Sequence, residues 1–320
     1  MKFMGNLPKI RQYLEVTMSV YKGKRVVFLV FPVLLTLSVF VFSQDIEKIQ
    51  IATTKLSDGV YMLTGAGGNI GACTGPDGIL LIDSQFPQVH EKIVSALAAI
   101  SPGPVRFLCN TNWHYDHVSG NELFAKKGAM IVAHEAARER MSTEQIHKDL
   151  DNKSIPPYPA AALPVLTIAD SLTLHFNGEA LQVKHVPNAH SDADLMFHFQ
   201  KANVIHGGDL LFSGTCPYID VPHGGSINGM IAAAEQILQL CDAETRLIPG
   251  HGPAMKRPDV EAFRDMMVFV RDRVAGLIQA GKSAREVLAA RPTADLDARW
   301  QKGIPAELFV QLVYDSLKKK

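Results

Sequence analysis

Short apolar runs broken by glycine, proline and small polar residues dominate the middle of this chain. Residues 59–63 and 70–74 read as two paired strands joined by Gly65-Ala66-Gly67-Gly68. Pro76-Asp77-Gly78 then turns the chain into a third run at 79–82, which is a meander signature. Further apolar runs lie at 105–109, 181–186, 202–206 and 245–248. Between and after them, residues 88–100, 228–240 and 261–280 carry helical spacing of apolar positions, and 283–290 reads as another helix. Residues 136–150 predict a polar helix leading into the proline-rich loop 155–159, an insertion that either walls one side of a pocket, with Met141 and Tyr158 the side chains to do so, or is a surface excursion. An apolar helix at 308–317 closes the chain and is expected to pack on the same domain. Strands alternating with helices after an antiparallel opening predict an α/β fold of packed sheet and helix layers.

The chemistry-bearing residues fall at the ends of these strands. After the run 105–109 comes Asn112-Trp113-His114-Tyr115-Asp116-His117, a dense set of imidazole and carboxylate donors. His190 follows 181–186, Asp209 follows 202–206 between Gly207-Gly208 and Leu210, and His251 follows 245–248 between two glycines. Strands fix the backbone while the loops beyond them free its direction, so side chains at several strand ends can converge on one point. Imidazole and carboxylate without thiolate suit zinc, with manganese or iron also accommodated.

On these motifs the chain, from about residue 51 to 253, resembles the metallo-β-lactamase-fold hydrolases, whose signature is H-x-H-x-D-H followed by a distant His, an Asp or Cys, and a final His. The resemblance implies an αββα sandwich of two sheets between helices. It implies that His114 and His190 hold a first metal ion and that Asp116, His117 and His251 hold a second. Asp209 would bridge the two or serve the second, and Asp83, at the end of the run 79–82, would support the metal loop from behind. Asp116 would also orient the attacking water, and His223 is a candidate for touching substrate. The segment 65–68 corresponds to a hairpin loop that can flap over substrate in the family. The chain departs from the signature at Asn112, which stands where the first His belongs. A neutral carbonyl donor binds zinc weakly, so Asn112 or a water completes the first site, and one or two ions are expected. β-Lactamases with Asn at this position carry Cys in place of Asp209 and Arg in place of His117.

A divalent ion in such a site lowers the pKa of its water to about 7 and polarises a carbonyl, so no serine nucleophile is needed. The expected reaction is metal-activated hydrolysis of a small carbonyl substrate. A β-lactam is the leading expectation, a lactone, an ester or a glyoxalase-type thioester the alternative, and a non-catalytic metal-binding relative the third reading.

Composition limits the partners. The 320 residues are 47% hydrophobic and carry no formal net charge. Residues 1–43 hold six basic side chains and one acidic, which leaves 26 basic against 31 acidic in the remainder, a net of −5. That gives no basic footprint for nucleic acid. Lys22, Lys24 and Arg25 precede an uncharged apolar run at 26–42, a pattern that predicts a signal peptide or N-terminal anchor over 1–43 and a single hydrolase domain over 44–320. The protein is therefore expected to be exported, periplasmic or secreted, with membrane contact only through that segment if it stays uncleaved. Cys73, Cys109, Cys216 and Cys241 match no zinc-knuckle spacing, and Cys73 and Cys109 fall in apolar runs as buried thiols.

Overall fold

The meander forms as its pattern requires: β1 (Ala52–Ser57), β2 (Val60–Thr64), β3 (Ile70–Gly75) and β4 (Gly78–Ile82) pair antiparallel in sequence order in this computed structural model. It describes residues 48–147, 153–296, 300 and 302–319. The segment 1–43, expected to direct export, lies outside the described residues. Among them, no helix is long and apolar enough to cross a membrane.

After β4 the chain crosses over through α1 (His90–Ile100) to β5 (Val105–Cys109), which pairs parallel with β4. The short helices α2 (Tyr115–Val118) and α3 (Asn121–Ala125) lead to β6 (Met130–His134) and α4 (Glu135–Ser142). A small hairpin, β7 (Gln145–His147) with β8 (Lys153–Ile155), precedes β9 (Leu166–Ile168). These strands form a seven-stranded sheet in the order β1-β2-β3-β4-β5-β6-β9. The second sheet contains β10 (Ser171–Phe176), β11 (Glu179–His185), β12 (Leu195–Phe199), β13 (Val204–Phe212) and β15 (Arg246–His251), in that order, with the two-residue β14 (Thr215–Cys216) outside it. Helix α5 (Ile227–Leu240) connects β13 to β15, and α6 (Arg257–Gln279), α7 (Ala284–Ala289) and α8 (Ala306–Lys318) follow.

The layers are read from the core. Val60, Met62, Leu80 and Ile82 of the first sheet pack with Phe197, Phe199, Val204 and Ile248 of the second. On the outer face of the first sheet Leu81 and Leu108 meet Ile93, Leu97 and Phe124 of α1 and α3. On the outer face of the second, Ile205 and Leu247 meet Ile237, Phe263 and Phe309 from α5, α6 and α8. Helix, sheet, sheet, helix is the αββα sandwich.

Two elements differ from the pattern-based expectation. The polar helix expected over 136–150 stops at Ser142, because Gln145 folds back and its amide donates to the Arg140 carbonyl at 3.0 Å, capping the helix end. The chain then enters β7 instead of a further turn. The expected run 202–206 extends through Asp209 to Phe212, so Asp209 lies within a strand and not beyond its end. Its pairing with β15 is irregular around Gly208, whose φ is +52°. Such a bulge re-aims the next side chain, and here that side chain is Asp209. All four cysteines are buried and free of disulfides.

His206 in β13 joins the sheets. Its Nδ1 accepts the Gly208 N–H at 3.1 Å, so its Nε2 carries the proton and donates to the Asn69 carbonyl, just before β3 of the first sheet, at 3.1 Å. Burial lowers its pKa to about 4. Between about pH 4 and the unfolded value near 6.5 the unfolded chain binds this proton and the folded chain does not, so stability rises with pH across that window. The contribution is complete above 6.5 and is lost as pH falls through 4. It amounts to about 3 kcal/mol, by linkage at about 1.4 kcal/mol per pH unit. Urea unfolding of the chelated protein and of His206→Gln at pH 7 and pH 4 measures it: the stability difference between the two should shrink by about that amount, and a difference independent of pH would refute the account.

Candidate metal centre

The donor motif grows out of the end of β5. Asn110 and Asn121 join side chain to side chain at 2.8 and 3.1 Å, and the Ser84 hydroxyl donates to Asn121 at 2.8 Å. This buried polar network fixes the turn from which α2 starts. Asp83, fully buried with φ +67°, accepts from the Thr111 N–H at 2.8 Å, the Thr111 hydroxyl at 2.7 Å and His117 Nδ1 at 2.8 Å. A positive φ costs a non-glycine residue energy, and here it aims one carboxylate at three donors. His117 is thereby held with Nε2 facing the cleft.

Six side chains gather in two groups: His114, His190 and Asp209 in one, Asp116, His117 and His251 in the other, the donor atoms within each group lying within 4.8 Å of one another. Asp209 touches both. Its Oδ2 is 3.3 Å from His190 Nε2 and 3.2 Å from His117 Nε2, and its Oδ1 is 3.4 Å from His251 Nε2. His251 Nε2 also lies 3.3 Å from Asp116 Oδ2. Gly250 makes room for this carboxylate, since a Cβ there would lie 1.9 Å from Asp209 Oδ1. The cleft opens at Asp116 and His251, whose side chains are 19% and 34% exposed, whereas His190 and Asp209 are buried.

Asn112 faces the same point differently. Its Oδ1 accepts the His114 N–H at 2.8 Å, which turns its amide nitrogen to Asp209 Oδ2 at 3.3 Å. The oxygen that would bind metal is engaged, so Asn112 orients His114 and Asp209.

The donors fit a metal ion. His117 Nε2 and Asp209 Oδ1 are buried and have no hydrogen-bond partner among the described residues. A buried polar atom without a partner is costly, and two of them set among carboxylates and imidazoles are the donors a divalent cation satisfies. The site's own charges agree. Burial opposes protonation of His117, but Asp209, Asp116 and Asp83 outweigh it and raise its pKa well above the ordinary value. His251 and His114 are raised in the same way against burial, chiefly by Asp209 and by Asp220 respectively. Burial lowers His190 to about 4. Burial opposes the ionised form of Asp116, but His117 and His251 outweigh it and hold the carboxyl well below the usual range. Metal binding displaces protons from such imidazoles, so affinity falls as pH drops.

The motif reading missed Asp220 and the Tyr218 carbonyl. Asp220 is fully buried and lies between His114 Nε2 at 2.9 Å and His223 Nδ1 at 2.7 Å. The carbonyl of Tyr218 accepts from His190 Nδ1 at 2.9 Å. An aspartate between Ile219 and Val221, three residues before a histidine, was the available signal: apolar neighbours imply a buried carboxylate in need of partners. His223 is 9% exposed and turned to Asp220, and Trp113 packs edge-on against both His223 and His114. Met141 is buried with Trp113, and the Tyr158 hydroxyl is 3.2 Å from Ser119 Oγ, so the insertion lies against α2. The segment 65–68 is tied down: the Gly68 N–H donates to the Asp116 carbonyl at 3.1 Å, and the Gln85 side chain bonds the Ala66 N–H and the Gly68 carbonyl at 3.1 and 2.8 Å.

Comparison with known proteins agrees with this geometry. A hydroxyacylglutathione hydrolase of Nitrosococcus oceani is 28% identical over 187 residues, 57% of this chain and 59% of that protein. One from Pelagibacter ubique is 25% identical over 148 residues, 46% of this chain and 52% of that protein. The chain thus spans between half and three-fifths of these relatives' length. Among solved structures, a metallo-beta-lactamase from Pontibacter korlensis superposes with a TM-score of 0.54 at 18% identity, over 68% of this chain and 99% of that one, a likeness of fold. Residues 63–251 match the family model of the metallo-beta-lactamase superfamily, and the chain belongs to that superfamily.

Proposed function

We propose that this protein is a metal-dependent hydrolase of acyl thioesters and related esters. The observation that carries the reading is the placement of Asp209, one carboxylate shared by both donor groups. Together with His117 it gives an all-nitrogen-and-oxygen site, unlike the Cys and Arg of β-lactamases that share Asn at position 112. The partly identical hydroxyacylglutathione hydrolases support the same reaction class. It therefore replaces the β-lactam as the leading reading.

A divalent ion bound there would supply Lewis acidity and an acidified water. The protein's own part is positional. Asp116, partly exposed at the mouth, offers an ionised carboxylate that would orient the attacking water. His117, His190 and Asp209 sit in a dry floor, where electrostatic interactions are stronger than in water. Trp113 packs edge-on against His114 and His223, with Met141 buried in the same apolar cluster.

A direct assay tests the reading: zinc-loaded protein is given a 2-hydroxyacylglutathione thioester, a p-nitrophenyl ester and a chromogenic cephalosporin, each with and without chelator. Chelator-sensitive turnover of the thioester or ester, lost in His114→Ala, is expected. Turnover confined to the cephalosporin would overturn the proposal in favour of the β-lactam.

A further inference from the structure

We propose that Asp220 is the positioning residue that fixes His114 as an Nδ1 metal donor, and that His223 holds Asp220 in that role. The inference rests on the metal-dependent reading above and goes beyond it by naming what builds one of the two positions.

The segment 218–220 governs both imidazoles of the His114–His190–Asp209 group. The Tyr218 carbonyl takes the Nδ1 proton of His190, which leaves His190 Nε2 as the donor. The Asp220 carboxylate faces His114 Nε2, which leaves His114 Nδ1 as the donor. The other two nitrogens, His190 Nε2 and His114 Nδ1, lie 2.8 Å apart, and with Asp209 their donor atoms fall within 4.8 Å of one another. The Asp220 N–H also donates to the His190 carbonyl at 2.8 Å, so one residue ties the backbone of one donor to the ring of the other. A carboxylate behind a ligating imidazole fixes its tautomer and ring orientation and raises its basicity.

His223 secures the other oxygen. Its Nδ1 lies 2.7 Å from Asp220 Oδ1, and its N–H donates to the Asp220 carbonyl at 3.0 Å. With both carboxylate oxygens engaged, Asp220 cannot rotate away from His114. The loop has no slack, because a Cβ on Gly225 would lie 2.3 Å from the His190 carbonyl. The end of the chain braces it: Lys319 Nζ donates to the Val221 carbonyl at 2.6 Å, and Ser316 accepts the Ile227 N–H at 2.9 Å.

The test is competition for zinc against a chromophoric chelator, with cobalt absorption as a second probe. The His114→Ala and His251→Ala proteins identify which affinity belongs to which position. Asp220→Asn is expected to weaken the affinity that His114→Ala removes by about 10–100-fold, and to leave the one that His251→Ala removes unchanged. His223→Ala should weaken the same affinity. His223→Asn, which keeps an N–H donor near the Nδ1 position, should restore it, a rescue that mere loss of packing would not show. Melting curves establish that each variant is folded; should Asp220→Asn not fold, the two His223 variants decide alone. Affinities in Asp220→Asn or His223→Ala within twofold of the parent overturn the proposal while leaving the metal centre standing. A parent protein that binds neither zinc nor cobalt overturns both.

Discussion

Asp209→Asn is expected to remove metal from both positions and to lower hydrolysis by about 10³-fold or more. A bound ion contributes several kcal/mol of transition-state stabilisation, and about 4 kcal/mol is a factor of 10³. The substitution keeps the shape of the side chain, so the Gly250 cradle and the strand around it are undisturbed. It removes the charge that faces His117, His190 and His251 together. An amide in its place offers one neutral oxygen, and its nitrogen is directed at imidazoles that need an acceptor or a cation. No neighbouring group takes over: Asp116 reaches His117 and His251 but stands in the other donor group from His114 and His190. Metal content and turnover are read together. Retention of both ions, or activity within tenfold of the parent, would mean that Asp209 is not the shared donor.

The strand-end positions of His114, His117, His190 and His251 were legible because each follows an apolar run at a glycine, proline or polar break, and a strand's register fixes where its end falls. Asp209 was legible by residue type but not by place. Its aim depends on an irregular pairing with β15, a contact with a strand some forty residues later that no local pattern records. The Asn69–His206 clasp is of the same kind, since it joins residues 137 apart. Asp220 is not legible from local pattern because its partners, His114 and His223, lie 106 and three residues away, and only the fold brings the carboxylate between them. The overlong helix at 136–150 failed for a local reason: the polar face continues in sequence, while a single glutamine side chain caps the helix and ends it. The sequence marks Asn112 as a departure from the signature, and the hydrogen bonds around it assign it an orienting role.

Gly68→Ala is expected to cost about 10²-fold in activity although residue 68 offers no donor side chain. A Cβ there would lie 2.2 Å from His117 Cε1 and 2.6 Å from both ring nitrogens. The ring cannot yield, because Asp83 holds Nδ1 at 2.8 Å and the Thr111 hydroxyl lies 3.3 Å from the same atom. The loop cannot yield freely either, because its N–H is bonded to the Asp116 carbonyl and its carbonyl to Gln85. Either response moves a donor of the Asp116–His117–His251 group, and a displacement of about 1 Å in a catalytic group is enough for a 10²-fold loss. Overpacking of this kind also destabilises by about 1–3 kcal/mol. Gly276→Ala is the control: it lies in α6 with nothing within 4 Å of a new Cβ, so it should leave activity unchanged and stabilise by up to about 1 kcal/mol through helix propensity. The comparison separates a steric effect on the site from a general effect of replacing glycine. If Gly68→Ala retained parental turnover and parental zinc affinity, the segment 65–68 would have to move away from His117 without consequence, and the loop would be mobile after all, as the hairpin-flap expectation held.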